Sequence, residues 1–231
     1  MALNLATHKN ILLQILKDIY TDTALGPVLG FKGGTAAYLF YDLGRFSVDL
    51  DFDLLDETRE NYVFEKTAKI LTGFGKIKEK RIKRHTLFFL LSYDDESPNV
   101  KVEINRRIFG SRYELKNYLG ISMLVMVKED MFAHKLVALL ERTKIANRDI
   151  FDVWFFLKNN WPVNREIVEK RTGVSFSKYL GKCIKFTESL SGRGILAGMG
   201  ELLTPEQKTW IKTHLRQDVL FMLKIRLEQE T

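Results

Sequence analysis

The 231-residue chain has few residues that can cross-link a fold or interrupt a helix, with one cysteine, Cys183, and four prolines. A single cysteine excludes an internal disulfide, and without cysteine or histidine companions nearby it excludes a zinc knuckle as well. We therefore expect Cys183 to be a small apolar core residue. No apolar run approaches the ~20 residues that cross a bilayer, and the N-terminus lacks a basic region followed by an apolar stretch. These absences predict a cytoplasmic protein that makes no membrane contact.

The chain also has fewer acidic than basic residues, with 29 aspartates and glutamates against 36 lysines and arginines, which gives a net charge of +7. Excess positive charge attracts polyanions such as nucleic acid, nucleotides or an acidic protein partner. The hydrophobic fraction of 45% and the charged fraction of 28% are ordinary for a folded protein and argue against disorder. The composition therefore favours a globular protein that binds polyanions.

Hydrophobic periodicity predicts an α+β organisation, with an αβ core over residues 1–127 and a helical domain over 128–231. Helices are expected at residues 7–20, 35–41, 58–71, 131–141, 148–158, 176–190 and 205–229. Strands are expected at residues 28–31, 47–54, 76–82, 86–93 and 100–105. An acidic turn cluster at 94–99 precedes the last of these strands, and a glycine-containing loop or hinge is expected at 191–200.

The most informative strand is 47–54, whose apolar residues share one face while Asp49, Asp51 and Asp53 share the other. Carboxylates two residues apart on a strand point the same way, and Asp49 and Asp51 are therefore candidates to hold two Mg²⁺ ions about 3.5–4 Å apart. Asp53 continues the acidic face and is not assigned as a ligand. The alternative is the solvated face of an edge strand, although three like charges on one face repel. A third ligand is expected from a neighbouring strand, on which Glu103 is the central carboxylate.

A glycine turn, Gly33-Gly34-Thr35, ends one predicted strand and opens the next helix. Glycines let the backbone approach a phosphate, and free N–H groups at a helix start face an anion. The Thr35 hydroxyl is expected to donate another hydrogen bond, and Lys32 is expected to meet the same phosphates or to make a surface contact. Gly34 precedes Asp49 by fifteen residues, which allows one short helix and a returning strand. The spacing therefore predicts that the phosphate site and the metal site lie together.

Two sequence blocks carry a resemblance to a known family. The first block reads FKGGTAA at 31–37 and GRFSVDLDF at 44–52; the second reads HKLVA at 134–138, RTK at 142–144 and NRDIFD at 147–152. Over residues 31–156 the chain thereby resembles the AbiEii/AbiGii-type toxin family, whose pattern is GGTA, a helix, RxSxDxDF, KxxA and RxK…RDxxD. The resemblance implies a polymerase-β-like nucleotidyltransferase core, with a mixed sheet flanked by helices, followed by a helical half that contributes to the nucleotide site.

The resemblance also implies roles for individual residues. The implied metal ligands are Asp49, Asp51 and Glu103, although the family more often has aspartate at the third position. The implied catalytic residues are these three with Lys135 and Asp149, and the implied nucleotide-binding residues are Lys32, Gly33, Gly34, Thr35, Arg45, Ser47, Lys135, Arg142 and Asp152. Two alternatives stay open: Arg45 pairs with an aspartate while Ser47 shapes the strand entry, and Lys135 with its acidic partners forms a salt-bridged helix pair that joins the two halves.

The implied reaction is nucleotidyl transfer, in which an acceptor attacks the α-phosphate of an NTP and pyrophosphate leaves. Two Mg²⁺ ions, with Mn²⁺ as an alternative, are expected to stabilise the attacking and leaving oxygens. Glu103 is expected to help deprotonate the attacking hydroxyl. Two other functions stay open: a nucleotide- or RNA-binding module without chemistry, and a metal-dependent phosphohydrolase or nuclease.

A run of basic residues bears on the identity of the acceptor, and we expect this run to lie on an exposed or edge strand. It consists of Lys76, Lys78, Lys80, Arg81, Lys83, Arg84 and His85. Such a run is suited to the phosphates of RNA, and the resemblance to family members that modify tRNA makes tRNA the leading candidate. The alternative is an edge strand that lysines protect against aggregation. The resemblance further implies a toxin–antitoxin pair with a cognate antitoxin protein.

Overall fold

The computed structural model describes residues 4–94, 98–142, 146–191 and 194–230. Three sequence-based predictions therefore fall partly outside the described residues: the acidic turn at 95–97, the RxK segment at Thr143 and Lys144, and the glycine loop at 192–193. The chain divides into two compact units. The first comprises Met1–Ile108 and Arg112–Met126, and the second comprises Phe109–Ser111 and Val127–Thr231.

The first unit is built on a seven-stranded mixed sheet in the order β3-β4-β5-β2-β1-β7-β6. Its elements are α1 (Leu5–Thr21), β1 (Leu29–Lys32), α2 (Gly33–Phe40), β2 (Leu50–Leu54), α3 (Glu60–Thr72), β3 (Lys76–Ile82), β4 (Thr86–Ser92), β5 (Val100–Asn105), β6 (Tyr113–Tyr118) and β7 (Ile121–Met126). Strand pairs β2–β5 and β1–β7 are parallel, and the other four pairs are antiparallel. The α+β class with a mixed sheet flanked by helices is confirmed.

Helices make up the described regular structure of the second unit: α4 (Lys128–Glu141), α5 (Asn147–Lys158), α6 (Arg165–Thr172), α7 (Phe176–Ser189), α8 (Pro205–Trp210) and α9 (Arg216–Glu228). A π-helical stretch, Ile211–Leu215, joins α8 to α9. Helix α4 packs against α5, α6 and α7, while α9 packs against α5 and α7. Cys183 on α7 is fully buried as expected, and burial raises the pKa of its thiol to about 12.

The structure corrects three sequence-based element predictions and adds elements that were not predicted. Strand β2 begins at Leu50, so the expected strand 47–54 is three residues too long and Asp49 lies just before it. Strands β6 and β7 and helix α6 were not predicted, and the single helix expected at 205–229 contains the π-helical stretch. The strand expected at 28–31 begins one residue later, because Val28 belongs to a 3₁₀ turn.

The position of two strands in the sheet bears on two interpretations of the sequence. Strand β2 is the fourth of seven, flanked by β5 and β1, so its aspartates do not lie on an edge strand. Strand β3, which carries the basic run, is an edge strand with mostly exposed side chains, as its charge on both faces predicted. In the described part of the chain, no helix combines the length and the apolar character that crossing a membrane requires.

Candidate active site

The sheet places the predicted carboxylates on neighbouring strands. Strand β2 pairs in parallel with β5, and this register sets Asp51 directly opposite Glu103. On the other side β2 pairs with β1, where Lys32 lies opposite Asp51. Asp49, Asp51 and Glu103 are all half-buried. The fold therefore brings together, within one unit, the three acids that the sequence indicated as metal ligands.

A lysine that the sequence analysis did not assign lies among these acids. The Lys101 Nζ is 3.0 Å from Glu103 Oε2 and 3.4 Å from Asp49 Oδ2. Burial alone would lower the pKa of Lys101, but the charges of Asp51, Asp49 and Glu103 outweigh it and raise that pKa. The three carboxylates therefore create one point at which positive charge is strongly stabilised. The one sequence signal for Lys101 is its place two residues before Glu103, on the same strand face.

The donor chemistry of this cluster fits magnesium held together with a substrate. Across the ranges that the structure describes, no three histidine, cysteine, aspartate or glutamate side chains form a ready-made metal cage. Mg²⁺ is usually bound by one or two carboxylates, with substrate phosphates and water completing its shell. Asp49 and Asp51 provide this donor chemistry, and the Lys101 ammonium already forms ion pairs with Asp49 and Glu103.

The glycine turn packs directly on the carboxylate strand. Gly33 has φ +79°, a conformation that favours glycine, and a Cβ built on it would lie 2.9 Å from the Asp51 Cβ. A Cβ on Gly34 would lie 2.7 Å from Ser47 Oγ and 3.0 Å from a guanidinium nitrogen of Arg45. Both positions therefore lack room for a side chain. The turn opens α2, whose first backbone N–H groups have no partner within the helix.

Three predicted nucleotide-binding side chains are largely buried around the segment that leads into β2. Arg45 is 3% exposed, and its Nη1 donates to the Phe46 carbonyl at 3.0 Å. Ser47 is also buried, against Gly34. The Thr35 hydroxyl donates to the Asp49 carbonyl, so the structure uses it to shape this segment, where the sequence had suggested a bond to phosphate.

The half-buried Lys32 and the buried Asp53 form an ion pair on the neighbouring strands β1 and β2. The Lys32 Nζ is 2.5 Å from Asp53 Oδ1, and Asp53 also accepts from Asn105 Nδ2 at 2.6 Å and from the Tyr113 hydroxyl. Burial opposes ionisation of Asp53, but the Lys32 charge and the hydrogen bonds outweigh it and lower the Asp53 pKa. These contacts give the Asp53 carboxylate a structural role.

We expect Asp53→Asn to lower the free energy of unfolding by about 3 kcal/mol at pH 7, because it leaves the half-buried Lys32 ammonium beside a neutral amide. A lowered folded-state pKa gives stability that is present above the unfolded value of about 3.9 and is lost as the pH falls through the folded value. The difference between wild type and variant should therefore shrink below about pH 4. Urea unfolding followed by circular dichroism at pH 7 and pH 3 measures this difference in the free energy of unfolding.

The exposed Asp18 on α1 provides the control for this prediction. Asp18→Asn removes the same charge without breaking a buried pair, so its effect should stay within about 0.5 kcal/mol at either pH. A pH-independent effect of Asp53→Asn would contradict the ion-pair interpretation.

In the second unit, Lys135 on α4 meets two carboxylates of α5. Its Nζ lies 2.7 Å from Asp149 Oδ1 and 2.8 Å from Asp152 Oδ2, and the Arg142 Nε lies 2.5 Å from Asp149 Oδ2. Both aspartates are at most 1% exposed. Burial would raise the Asp149 pKa, but the charges of Lys135 and Arg142 outweigh it, so that pKa is lowered. The predicted residues of this block thus form one ion-pair cluster within the same unit, with Lys135 on α4, both aspartates on α5 and Arg142 directly after the end of α4.

Comparisons with known proteins show the family and the fold. A family model described as "Nucleotidyl transferase AbiEii toxin, Type IV TA system" matches residues 14–205. The chain is similar to the crystal structure of a candidate nucleotidyltransferase from H. pylori, with a TM-score of 0.62 and 19% identity over 100% of this chain and 99% of that one. It is also similar to JHP933 from Helicobacter pylori, with a TM-score of 0.57 and 19% identity over 98% and 96% of the two chains. A comparison with curated proteins gives no match.

Proposed function

Because the chain belongs to the AbiEii family of nucleotidyl transferase toxins and is a nucleotidyltransferase, we propose that it transfers NMP from an NTP to an RNA acceptor in a Mg²⁺-dependent reaction. Transfer RNA is the leading acceptor. The observation that carries the proposal is the packing of the Gly33 turn on Asp51, with Asp49 and Glu103 beside it. A backbone surface suited to phosphate and a carboxylate group suited to Mg²⁺ thereby lie within the same few residues.

We assign roles to this chain's residues as follows. Asp49 and Asp51 hold the metal, and Glu103 accepts the proton of the attacking hydroxyl. Gly33 and Gly34 let the backbone come close to the triphosphate. Bound Mg²⁺ supplies charge stabilisation at the phosphate oxygens. In the second unit we propose that Lys135 binds a nucleotide phosphate, with Arg142, Asp149 and Asp152 setting its position.

The edge strand β3 supports RNA as the acceptor class. Its basic side chains are largely exposed and continue into Lys83, Arg84 and His85 beyond the strand. A strand with positive charge on both faces offers RNA phosphates a long contact surface, and the net charge of +7 strengthens the attraction at a distance. The family description names a toxin–antitoxin system, and we therefore propose a cognate antitoxin and action in the cytoplasm.

Incubation of the protein with each of the four α-labelled NTPs, Mg²⁺ and total tRNA tests this function. We expect label from one NTP to enter the tRNA fraction, and EDTA to abolish the incorporation. Shortened RNA or free nucleotides would indicate the phosphohydrolase or nuclease alternative. Tight NTP binding without any labelled product would indicate a binding module.

The RNA surface is tested in the same assay. Replacing Lys78 and Lys80 together by serine should raise the KM for tRNA about tenfold at low salt, because two phosphate contacts and their counterion release are lost. The matched control replaces Lys182 and Lys185, two exposed lysines of α7, and should leave the KM within about twofold. Equal effects of the two double variants would reject β3 as the RNA surface.

A further inference from the structure

His8 on α1 is fully buried and makes a hydrogen bond through each ring nitrogen. Its Nε2 lies 2.9 Å from the Val48 carbonyl oxygen, and its Nδ1 lies 2.9 Å from the Tyr93 hydroxyl. A backbone carbonyl can only accept, so Nε2 carries the hydrogen and donates. In the neutral ring Nδ1 then accepts from Tyr93, which fixes the ring orientation from the opposite side.

The bond to Val48 acts on the peptide unit that precedes Asp49. Asp49 lies one residue before β2 and so lacks the pairing that holds the strand itself. The Val48 carbonyl is held by His8, while the Asp49 carbonyl is held by the Thr35 hydroxyl. Because peptide units are planar, fixing the two units that flank a Cα fixes its two soft dihedral angles. These bonds from two helices therefore set the direction of the Asp49 side chain.

A packing role alone does not account for a histidine at this position. The buried face of α1 otherwise consists of Leu12, Ile15, Leu16 and Ile19. A leucine in place of His8 would fill similar space but would leave the Val48 carbonyl without this donor, and burying a polar ring costs free energy unless its nitrogens are bonded. His8 also lies outside the residues 14–205 that the family model matches.

We propose that His8 is a positioning residue, oriented by Tyr93, that holds the backbone at Asp49 so that its carboxylate faces the metal. The metal role rests on the proposed function. Groups that orient metal ligands typically contribute about 10–100-fold to metal affinity or activity. Removing the His8 donor should therefore weaken the metal site by a factor in that range.

The test measures Mn²⁺ binding to the full chain by electron paramagnetic resonance, beside NMP transfer and the melting temperature. We expect His8→Phe to weaken Mn²⁺ binding about tenfold or more and to lower kcat. His8→Gln retains a donor and an acceptor, and it should stay within about threefold of wild type. Tyr93→Phe should fall between the two. Leu12→Ala, on the same buried helix face, should lower the melting temperature while Mn²⁺ affinity stays unchanged.

The following results would overturn the proposal. One is a folded His8→Phe protein that binds Mn²⁺ as wild type does, and another is an equal loss of Mn²⁺ affinity in Leu12→Ala. If His8→Phe does not fold, His8→Asn is compared with His8→Gln instead. The asparagine amide is too short to reach Val48, so equal Mn²⁺ affinities of these two variants would then overturn the proposal.

Wild-type protein that binds Mn²⁺ without transferring NMP would refute the proposed function alone, whereas intact transfer with unaffected His8 variants would refute this inference alone. A wild type that binds no Mn²⁺ even with a nonhydrolysable NTP would refute both.

Discussion

Asp51→Asn is expected to reduce kcat/KM for NMP transfer by about a thousandfold or more, which corresponds to at least about 4 kcal/mol of transition-state stabilisation. Asp51 is the acid that packs against the glycine turn and lies opposite Glu103, so it stands between the proposed phosphate-binding backbone and the third carboxylate. Asparagine keeps its volume but loses the charge that attracts Mg²⁺. Single-turnover transfer of labelled NMP, with Mn²⁺ binding measured in parallel, checks both consequences.

The matched control for this prediction lies two residues along the same strand. Asp53→Asn should destabilise the fold, because Asp53 pairs with Lys32, and should leave the kcat of folded protein within about threefold of wild type. Asp51→Asn should change stability little, because the relief of repulsion from two nearby carboxylates offsets the lost attraction for Lys101. Loss of activity and loss of stability are therefore expected in different variants. An Asp51→Asn enzyme within tenfold of wild type would refute the metal assignment.

The sequence predicted those parts of the sheet in which local pattern and tertiary environment agree. Residues 100–105 alternate apolar and polar side chains, and residues 76–82 carry charge on both faces as an edge strand can; β5 and β3 occupy these ranges in the structure. The hairpin of β6 and β7 was missed because its two-residue turn gives no ordinary signal. Leu119 and Gly120 both have positive φ, at 50° and 82°. Turns of this kind favour asparagine, aspartate or glycine at the first position, so leucine there does not predict one.

In the candidate site, local sequence pattern likewise predicted some side chains and missed those that act through distant contacts. Alternation and motif spacing indicated Asp49, Asp51 and Glu103, and the parallel pairing of β2 with β5 brings Asp51 beside Glu103. The early start assigned to β2 came from reading Asp49 as part of that alternation. The hydrogen bond from His8, forty residues earlier in the chain, holds the irregular segment, and no local pattern contains such a contact. Lys101 escaped notice because a lysine on a half-buried strand ordinarily indicates solvent exposure.

Lys135→Met is expected to destabilise the second unit by about 3–5 kcal/mol and to abolish NMP transfer, because it leaves Asp149 and Asp152 buried with half of their counter-charge. All three tryptophans, Trp154, Trp161 and Trp210, belong to this unit. Urea unfolding followed by tryptophan fluorescence therefore reports on this unit directly. An unchanged unfolding midpoint would show that the ion pairs contribute no net stability.

A second variant separates stability from phosphate binding at the same lysine. Lys135→Met combined with Asp152→Leu removes one buried charge of each sign and leaves the Arg142–Asp149 pair, so most of the lost stability should return. We expect transfer by this folded double variant to remain more than about a hundredfold below wild type, because the Lys135 ammonium proposed to bind the nucleotide phosphate has been removed. Asp152→Leu alone keeps the Lys135–Asp149 bond and should retain more activity than the double variant. Activity that returned together with stability would instead make Lys135 a purely structural link between α4 and α5.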